Sequence, residues 1–525
     1  MTAVGQLREH PAPVAPEVSW DRSATETAVA TLADWAGRVL WCWPALLTLA
    51  LGWYQVGRPE LWRDELASWS FATRPLSSLI ATARHTGATQ LVYYVLLHAW
   101  IMAFGDSVDA MRSLSVLAMA GAAAFVTQIG RRLAGTRAGL ISGLVFALVP
   151  SVSRFAQEVR FYALEVLVAA VATLLLLRAL DRPSARRWVA YAACLALLGY
   201  VDIVALSVVA GHAGGVALRW SRDRKGGQLW FAAAVAAAVA ACLPLVVLGS
   251  SQAADQVKWI PRPGLDLTVF SFFGRNLFYS TSVAAALIVL AILAWALAWR
   301  EAAFATAIAV LPVAAVWVAS QGTYSYFFPR YLLLTVGAWA ILAGIALSRF
   351  DPKMAVAGLV VVAVLSAGDQ QVIRTPGAHS WPTYPVGVGG SYLGYAQAAQ
   401  VVARSARPGD GIIYQSQEDL ANWLAIGYGL EYYLAGDLRP GIGEPRQLFI
   451  AKTAAQADTL YPVLCRRPAA CLGAERRIWV VGSGYDRSPY SAMVPNQAAL
   501  LRPYYRVSEV RHVPSLTVFL LVRRT

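Results

Sequence analysis

The sequence predicts a polytopic α-helical membrane protein that ends in an extracytoplasmic α/β domain. Three observations predict this fold class. The 525 residues are 58% hydrophobic and only 14% charged. The mean hydropathy of +0.51 lies above that of ordinary soluble domains. Long apolar segments alternate with short polar loops up to residue 371, and the only sizeable polar region after them is 372–525.

The apolar segments are long enough to cross a bilayer. A crossing helix needs about 20 apolar residues, and about eleven segments meet this measure. They are 37–56, 112–130, 136–152, 161–179, 187–202, 203–219, 229–249, 279–299, 302–320, 330–348 and 353–371. The segment Leu91–Phe104 is too short to cross and is typical of an embedded helix. We therefore expect 57–111 to be one external loop with short juxtamembrane helices, within a membrane domain spanning 37–371.

Arginine placement predicts the orientation in the plasma membrane. The net charge is +14, and the basic residues are scattered through every second loop, whereas a nucleic-acid binder would gather them on one face. The basic loops contain Arg131, Arg132 and Arg137; Arg178, Arg182, Arg186 and Arg187; Arg219, Arg222, Arg224 and Lys225; Arg300; Arg349 and Lys353. By the positive-inside rule these loops and a disordered segment 1–36 are cytoplasmic, and 372–525 is extracytoplasmic.

The region 372–525 has the pattern of a separate α/β domain. Gly411–Tyr414 and Arg477–Gly482 are predicted strands, while 393–406 and 418–430 have helical spacing. Its two cysteines, Cys465 and Cys471, lie close in sequence. They would form a disulfide in an oxidising compartment.

Two adjacent carboxylates, Asp64 and Glu65, follow the first predicted span. Four aromatic residues hold this segment at the headgroup level: Trp53, Tyr54, Trp62 and Trp69. A carboxylate at this position can act as a general base toward a hydroxyl, and Arg63 helps to keep it ionised. The alternative is a solvated acidic pair at a helix N-terminus, which the helix dipole favours.

The second external loop carries Arg154, Gln157, Glu158, Arg160 and Tyr162. Arginine is unusual on the outer side of this chain, and Arg160 can hold phosphate oxygens in a charge-assisted fork. The alternative is that Glu158 pairs with Arg154 or Arg160 at a helix end.

Other external cations are Lys258, Arg262, Arg275 and Arg330. Arg330 is the strongest candidate because it opens a predicted span beside Tyr331 and a proline. Arg262 and Arg275 are best interpreted as interfacial side chains that flank a span.

Four further polar residues have either a possible phosphate contact or a structural role. His85 lies in the first external loop and could contact phosphate. His98 and His212 fall in apolar helices, where most histidines are satisfied core residues, and Asp202 is most simply a helix cap.

The sequence lacks several nucleotide and metal motifs. It has no P-loop or Rossmann glycine pattern in a strand-to-helix context, no His-Glu-x-x-His and no cysteine cluster with zinc spacing. Nucleotide-dependent chemistry is therefore not expected. An external site would need a donor that carries its own activation across the membrane.

In their order along the chain, the motifs resemble those of a known superfamily. The matching pieces are Arg63-Asp64-Glu65, Phe104-Gly105-Asp106-Ser107, Met111-Arg112-Ser113, Gln157-Glu158-Val159-Arg160-Phe161-Tyr162 and Pro329-Arg330-Tyr331-Leu332. The pattern over about 37–350 resembles the GT-C glycosyltransferases that use polyprenyl-phosphate sugars, namely the protein O-mannosyltransferase and aminoarabinose transferase superfamily. The additional external domain, the arginine bias and the alanine-rich helices resemble actinobacterial cell-envelope mannosyl- or arabinofuranosyltransferases.

This resemblance implies a GT-C-like fold and an inverting sugar transfer from a polyprenyl-phosphate donor to a glycan, lipid or protein acceptor. It implies that Asp64, with Glu65 beside it, forms the catalytic pair. The implied donor-phosphate contacts are Arg160, Arg330, Lys258, Tyr162 and His85. The implied positioning residues are Arg63, Gln157, Glu158 and Tyr331. Glu65 and Glu158 could instead bind a divalent cation. Many relatives have His-Pro-Pro-Leu or Lys-Pro-Pro-Leu before the embedded helix, where this chain has His85-Thr-Gly-Ala.

Two other functions compete with sugar transfer. A transporter or flippase of lipid-linked sugars also needs many helices, but transporters keep ionisable residues near the midplane and in repeated halves. Here the suggestive polar residues gather at one face. The third interpretation is a non-catalytic assembly partner whose external domain binds envelope polymer.

Overall fold

A computed structural model of the chain describes residues 39, 41–223, 227–266, 274–379, 392–415 and 425–524. A bundle of apolar helices is followed by a domain built on a mixed sheet. This arrangement confirms the predicted fold class. The predicted N-terminal segment 1–36 lies outside the described residues.

Fourteen helices make up the membrane part among the described residues. They are α1 Cys42–Trp53, α2 Arg63–Ala72, α3 Leu76–Ala83, α4 Leu91–Phe104, α5 Val108–Ala134, α6 Thr136–Leu148, α7 Pro150–Ala156, α8 Tyr162–Asp181, α9 Ala185–Val201, α10 Val208–Asp223, α11 Gln228–Val257, α12 Thr281–Ala319, α13 Val336–Leu347 and α14 Pro352–Val372. Short 3₁₀ segments lie at Ala88–Gln90, Val204–Ser207 and Pro329–Thr335.

Six described helical segments are long and apolar enough to cross a membrane, or seven if the pair α6 and α7, bent by 64°, forms one span. Other predicted spans coincide with shorter apolar helices, such as α1. The number of spans therefore agrees with the prediction only approximately.

Helix α12 accounts for two predicted spans. Its 39 residues would extend roughly 58 Å if straight, about twice the thickness of a bilayer core. The backbone leaves the helical region at Ala298. Across this break, Trp295 Nε1 donates a hydrogen bond to Thr306 Oγ1 at 2.8 Å. Residues this far apart in sequence meet only if the chain reverses, so the two halves run antiparallel.

Ion pairs join the predicted basic loops at the same ends of the helices. Asp181, at the end of α8, accepts from Arg132 at 2.5 Å and from Arg219 at 2.5 Å. Arg349 pairs with Glu301 at 2.7 Å. The loops that the positive-inside rule assigns to one side are thus in direct contact with each other.

The loop 57–111, predicted to be external, contains the short helices α2, α3 and α4. Helix α4 has the predicted bounds Leu91–Phe104, and His98 Nδ1 lies 2.7 Å from the carbonyl oxygen of Ala72. His98 therefore ties α4 to α2 as a satisfied structural residue. His212 is also satisfied, because its ring nitrogens contact Thr173 Oγ1 at 3.0 Å and the Tyr191 hydroxyl at 2.9 Å.

The C-terminal region contains seven described strands. They are β1 Gly411–Tyr414, β2 Arg446–Gln447, β3 Ile450–Lys452, β4 Val463–Leu464, β5 Arg477–Ser483, β6 Tyr505–Val513 and β7 Leu516–Arg523. Five of them form a sheet in the order β2-β1-β5-β7-β6, and β3 and β4 form a separate ribbon. Strand β1 is parallel to β2 and β5, and β7 is antiparallel to β5 and β6. The helices are α15 Tyr395–Ser405, α16 Ile426–Asp437 and α17 Pro495–Leu501.

The predicted strands β1 and β5 are present, and β5 is buried along nearly its whole length. The helix predicted at 418–430 begins only at Ile426; residues 416–424 lie outside the described part of the chain. Cys465 and Cys471 form a disulfide.

The sheet domain packs on the first external loop. The Tyr433 hydroxyl accepts a hydrogen bond from the backbone N–H of Leu61 at 2.8 Å. Tyr432 packs edge-on against Trp69 with ring centroids 5.3 Å apart. Ser78 donates to Asp458 at 2.6 Å. These contacts bring α16 and the β3-β4 ribbon to the helices of the loop.

A buried ion pair also joins the same loop to helix α5. Arg112 is fully buried and donates to both carboxylate oxygens of Glu65, at 3.0 Å and 2.9 Å. It also donates to the carbonyl oxygens of Val56 and Pro59, at 2.7 Å and 2.8 Å. One side chain therefore holds both the start of the loop and the first turn of α2.

We predict that Arg112→Met lowers the free energy of unfolding by about 3–5 kcal/mol, because it leaves Glu65 buried and unpaired. The matched control is Arg349→Met, which removes a pair whose side chains are 39% and 35% exposed and should cost about 0–1 kcal/mol. Thermal unfolding in detergent measures both. Equal melting temperatures for the two variants would contradict the anchoring role of Arg112.

Candidate active site

Asp64 lies in the first turn of α2, where it is nine-tenths buried among cations. Its Oδ1 accepts from Arg63 Nε at 3.0 Å, and its Oδ2 lies 3.4 Å from Arg330 Nη1. Burial alone would raise the pKa of this carboxyl, but the charges of Arg63, Arg330 and Arg160 lower the pKa to about 2. Asp64 is therefore a carboxylate at physiological pH.

Glu65 is adjacent in sequence but differently placed. Besides Arg112, its oxygens accept from the backbone N–H groups of Val159 at 2.9 Å and Trp62 at 3.3 Å. Burial opposes ionisation, yet Arg112 and His379 hold the pKa of Glu65 well below its usual range. Both oxygens are already committed to protein donors.

Glu158 forms the third carboxyl of the cluster. It accepts from Trp62 Nε1 at 2.8 Å and pairs with Arg154 at 3.0 Å. This is the helix-end pair that the sequence left as an alternative. Burial raises the pKa of Glu158, and the charge of Glu65 adds to that effect.

Arg160 and Arg330 reach the cluster from two distant segments. Arg160 Nη1 lies 3.4 Å from Ser68 Oγ, on the same helix as Asp64. The Arg330 guanidinium carbon lies 5.2–5.8 Å from five ring centroids. These rings belong to Trp62, Tyr162, Trp259, Phe328 and Tyr331. The rings confine the guanidinium beside Asp64, and Tyr162 and Tyr331 belong to that cage.

Gln157 lies near the cluster, but its side chain amide is hydrogen-bonded to backbone carbonyl groups. Its Nε2 donates to the carbonyl oxygens of Gly52 at 2.9 Å and Tyr54 at 2.8 Å. These carbonyls belong to the last turn of α1 and the residue after it, so Gln157 caps that helix.

Two predicted phosphate contacts lie apart from the centre. His85 is exposed after α3, and the described contacts do not join it to the cluster. Lys258 is exposed at the end of α11, next to Trp259, whose ring faces Arg330. Lys258 is thus at the rim.

The structure adds residues that the sequence analysis did not select. Arg112 is the partner of Glu65, and His379 is fully buried with its Nδ1 3.7 Å from Glu65 Oε2. Tyr461 of the sheet domain lies close enough to Arg63 and Asp64 for their charges to act on its hydroxyl. A signal existed for Arg112, since an arginine near the outer end of a span needs a partner; none existed for His379 or Tyr461.

The described residues contain no group of three or more His, Cys, Asp or Glu side chains placed to hold a metal ion. Glu65 and Glu158, the two candidates for a divalent cation, are paired with arginines instead. The cluster offers a different chemistry: one ionised carboxylate at the edge of a buried, strongly cationic surface. Such a surface suits an anionic group bound next to a base.

Comparisons with known proteins concern the fold and one segment of the chain. Residues 89–248 match a family model described as dolichyl-phosphate-mannose-protein mannosyltransferase. The crystal structure of ArnT from Cupriavidus metallidurans bound to undecaprenyl phosphate is similar with a TM-score of 0.55 and 15% identity, covering 92% of this chain and 98% of that chain. The crystal structure of the same protein in the apo state has a TM-score of 0.53 and 17% identity, covering 95% of this chain and 98% of that chain.

The archaeal oligosaccharyltransferase AglB from Archaeoglobus fulgidus, in complex with an inhibitory peptide and a dolichol-phosphate, is more distant. Its TM-score is 0.43 at 12% identity, with 93% of this chain and 74% of that chain covered. A comparison with curated protein sequences finds no match.

The ArnT structures share the fold over nearly the whole chain, and the family model covers the segment that carries Glu158 and Arg160. The chain is therefore a multi-pass membrane protein with the GT-C fold of the ArnT structures, and its residues 89–248 resemble the dolichyl-phosphate-mannose-protein mannosyltransferase family.

Proposed function

We propose that this protein is an inverting membrane glycosyltransferase. It takes a sugar, mannose or arabinofuranose, from a polyprenyl phosphate and transfers it to a hydroxyl of a cell-envelope glycan, lipid or protein. The observation that carries the proposal is the ionised Asp64 held between Arg63 and Arg330. A base and a cationic phosphate site are thereby adjacent.

The reaction follows from this geometry. The acceptor hydroxyl attacks the anomeric carbon, and its proton passes to Asp64. The bond between that carbon and the phosphate oxygen breaks on the opposite side, which inverts the configuration. The phosphate leaves as an anion that Arg160 and Arg330 stabilise.

Donor binding also prepares the base. In the structure, the pKa of Asp64 is about 2, which is low for a proton acceptor. A phosphate that engages Arg330 and Arg160 adds negative charge beside Asp64 and competes for the same cations. Both effects raise the pKa of Asp64 toward the range in which a carboxylate accepts a proton effectively.

The other residues divide into positioning roles under this proposal. Glu65 is committed to Arg112 and orients the turn that carries Asp64. Glu158 orients Trp62, which in turn borders Arg330. Tyr331 and Tyr162 confine Arg330, and Lys258 assists at the rim.

We predict that Asp64→Asn lowers sugar transfer by roughly 10²–10⁴-fold, the usual contribution of a general base. The assay uses purified protein in detergent, a radiolabelled polyprenyl-phosphate sugar and cell-envelope acceptors. Because the pKa of Asp64 is about 2 in the free protein, its ionisation should not limit kcat/KM until the pH falls below about 4, whereas kcat should fall at a higher pH because the bound donor raises that pKa.

The control for this variant is Asp109→Asn, which neutralises an exposed aspartate at the start of α5. It should transfer at the wild-type rate. Full activity of Asp64→Asn would contradict the assignment of the base. A protein that only moved lipid-linked sugars would yield no product with any of these chains.

We predict that Arg330→Lys and Arg160→Lys each lower the turnover number by roughly 10²-fold, because an ammonium group cannot reproduce the planar fork on the leaving phosphate. The matched control is Arg262→Lys in an exposed loop, which should retain turnover. Unchanged turnover in both site variants would remove these arginines from the mechanism.

The site and the sheet domain are proposed to face the outside of the plasma membrane. We predict that Ser508→Cys on the exposed edge strand β6 reacts with a membrane-impermeant maleimide in intact cells. Pro183→Cys, in the exposed loop between α8 and α9, should react only after permeabilisation. The reverse pattern would overturn the proposed orientation and with it the external reaction.

A further inference from the structure

Two buried carboxyl groups near the cluster carry oxygens that have no hydrogen-bond partner among the described residues. Glu165 is fully buried, and neither of its oxygens has a hydrogen-bond partner in the described part of the chain. Asp202 is 6% exposed; its Oδ1 accepts from the N–H of Val204 at 3.0 Å, while its Oδ2 has no partner there. Buried polar atoms are nearly always paired, so these oxygens require an explanation.

Both groups lie at the same end of the bundle as the cationic cluster. Glu165 is in the first turn of α8, three residues after Tyr162 and therefore on the same helix face. Asp202 ends the antiparallel neighbour α9. The 3₁₀ segment that follows it, Val204–Ser207, packs against the 3₁₀ segment Pro329–Thr335, which carries Arg330.

Charge interactions connect this pair with the reacting residues. Glu165 and Asp202 are close enough for their charges to interact. Arg160 acts on Asp202 and also on Asp64. Asp202 and the proposed base thus share the charge of Arg160, and Glu165 is coupled to them through Asp202.

Two hydrogen-bond donors beside the pair are also unused. The Tyr162 hydroxyl and Arg160 Nε are buried and have no hydrogen-bond partner among the described residues. Four side chains in one region therefore hold unfilled hydrogen-bonding capacity, both accepting and donating. By contrast, His212, deeper in the bundle, has both ring nitrogens paired.

The charge balance selects the kind of ligand. Two buried carboxyls whose charges interact favour holding at least one proton between them, since like charges in a dry site repel. The remaining negative charge lies within range of Arg160, a cation that this pair shares with Asp64 and the donor phosphate. A neutral ring with several hydroxyls supplies donors to the carboxyls and acceptors to Tyr162 and Arg160 without bringing an unbalanced charge.

We propose that Glu165 and Asp202 bind hydroxyl groups of the donor's sugar ring and so determine which neutral sugar is accepted. This inference rests on the proposed function. If the phosphate binds Arg160 and Arg330, the attached sugar begins beside these two arginines. Asp202 is within range of the Arg160 charge, and the segment after Asp202 packs against the segment that carries Arg330.

Binding to two lipids tests the subsite. The probes are a polyprenyl phosphate carrying mannose or arabinofuranose and the same lipid without a sugar, titrated into the full-length protein in detergent. We predict that Glu165→Gln and Asp202→Asn each weaken binding of the sugar-bearing lipid by roughly 10–100-fold, the range for a lost hydrogen bond to a charged group. Affinity for the bare lipid phosphate should change less than about threefold, well below the tenfold that corresponds to about 1.4 kcal/mol.

The matched control is Thr173→Val, which removes a buried hydroxyl from the same helix two turns away, in the His212 network. It should leave the affinity ratio of the two lipids at the wild-type value. A donor that lacks one ring hydroxyl should show a smaller penalty in the variants than in the wild type if that hydroxyl is the one they bind.

Three outcomes overturn the inference. If the Glu165 and Asp202 variants lost affinity for both lipids equally, the substitutions would have a general structural effect. Equal wild-type affinity for the two lipids would show that no sugar subsite exists. If the wild type bound an amino-sugar donor more tightly than a neutral-sugar donor, and both variants lost this preference, Glu165 and Asp202 would instead form a binding site for a cationic group. If the wild type prefers the sugar-bearing lipid but transfers nothing, the subsite stands and the proposed transferase activity fails.

Discussion

The bidentate pair between Arg112 and Glu65 is the interaction on which the site depends. Taking both charges out of water is costly, and the pair is favourable only because the fork geometry and additional donors satisfy it. Arg112 also holds two carbonyls of the loop, and Glu65 accepts the N–H of Val159 from the second loop. Two external loops and helix α5 are therefore locked together at one carboxylate, and Asp64 is the residue just before it.

Adjacent carboxyls in this chain acquire different roles from their surroundings. Glu65 is saturated by donors, so it can orient but has no free oxygen to accept a proton. Asp64 is held by cations that an incoming phosphate would engage, so its basicity can change during the reaction. Glu158 is shielded by Trp62 and Arg154, and burial raises the pKa of Glu158. Three acids within one cluster are thus separated into an anchor, the proposed base and a support.

Much of this could be predicted from the sequence, and the remainder has physical reasons. Polar residues that interrupt apolar segments are visible as exceptions, so Asp64, Arg160 and Arg330 were identifiable, and the motif order indicated the fold. Gln157 was visible too, but a helix cap and a substrate contact use the same amide. Glu165 lies inside a span whose pattern is otherwise apolar, and its lack of a partner appears only in three dimensions. The reversal within α12 was predicted from the length of the apolar run, whereas the docking of His379 and Tyr461 depends on tertiary packing.

The sheet domain has a place in the proposed reaction because of where it touches the loop. Arg330 contacts Oδ2 of Asp64 and Arg63 contacts Oδ1, and the charges of Arg63 and Asp64 reach the Tyr461 hydroxyl of the sheet domain. If the donor phosphate occupies the side with the buried cations, the acceptor hydroxyl must reach Asp64 from the side of Arg63. That side is bounded by the domain through Tyr432 and Tyr433, which hold α16 against the loop. In the proposed reaction, the membrane helices would present the donor, and the sheet domain would shape the approach of the acceptor to the same carboxylate.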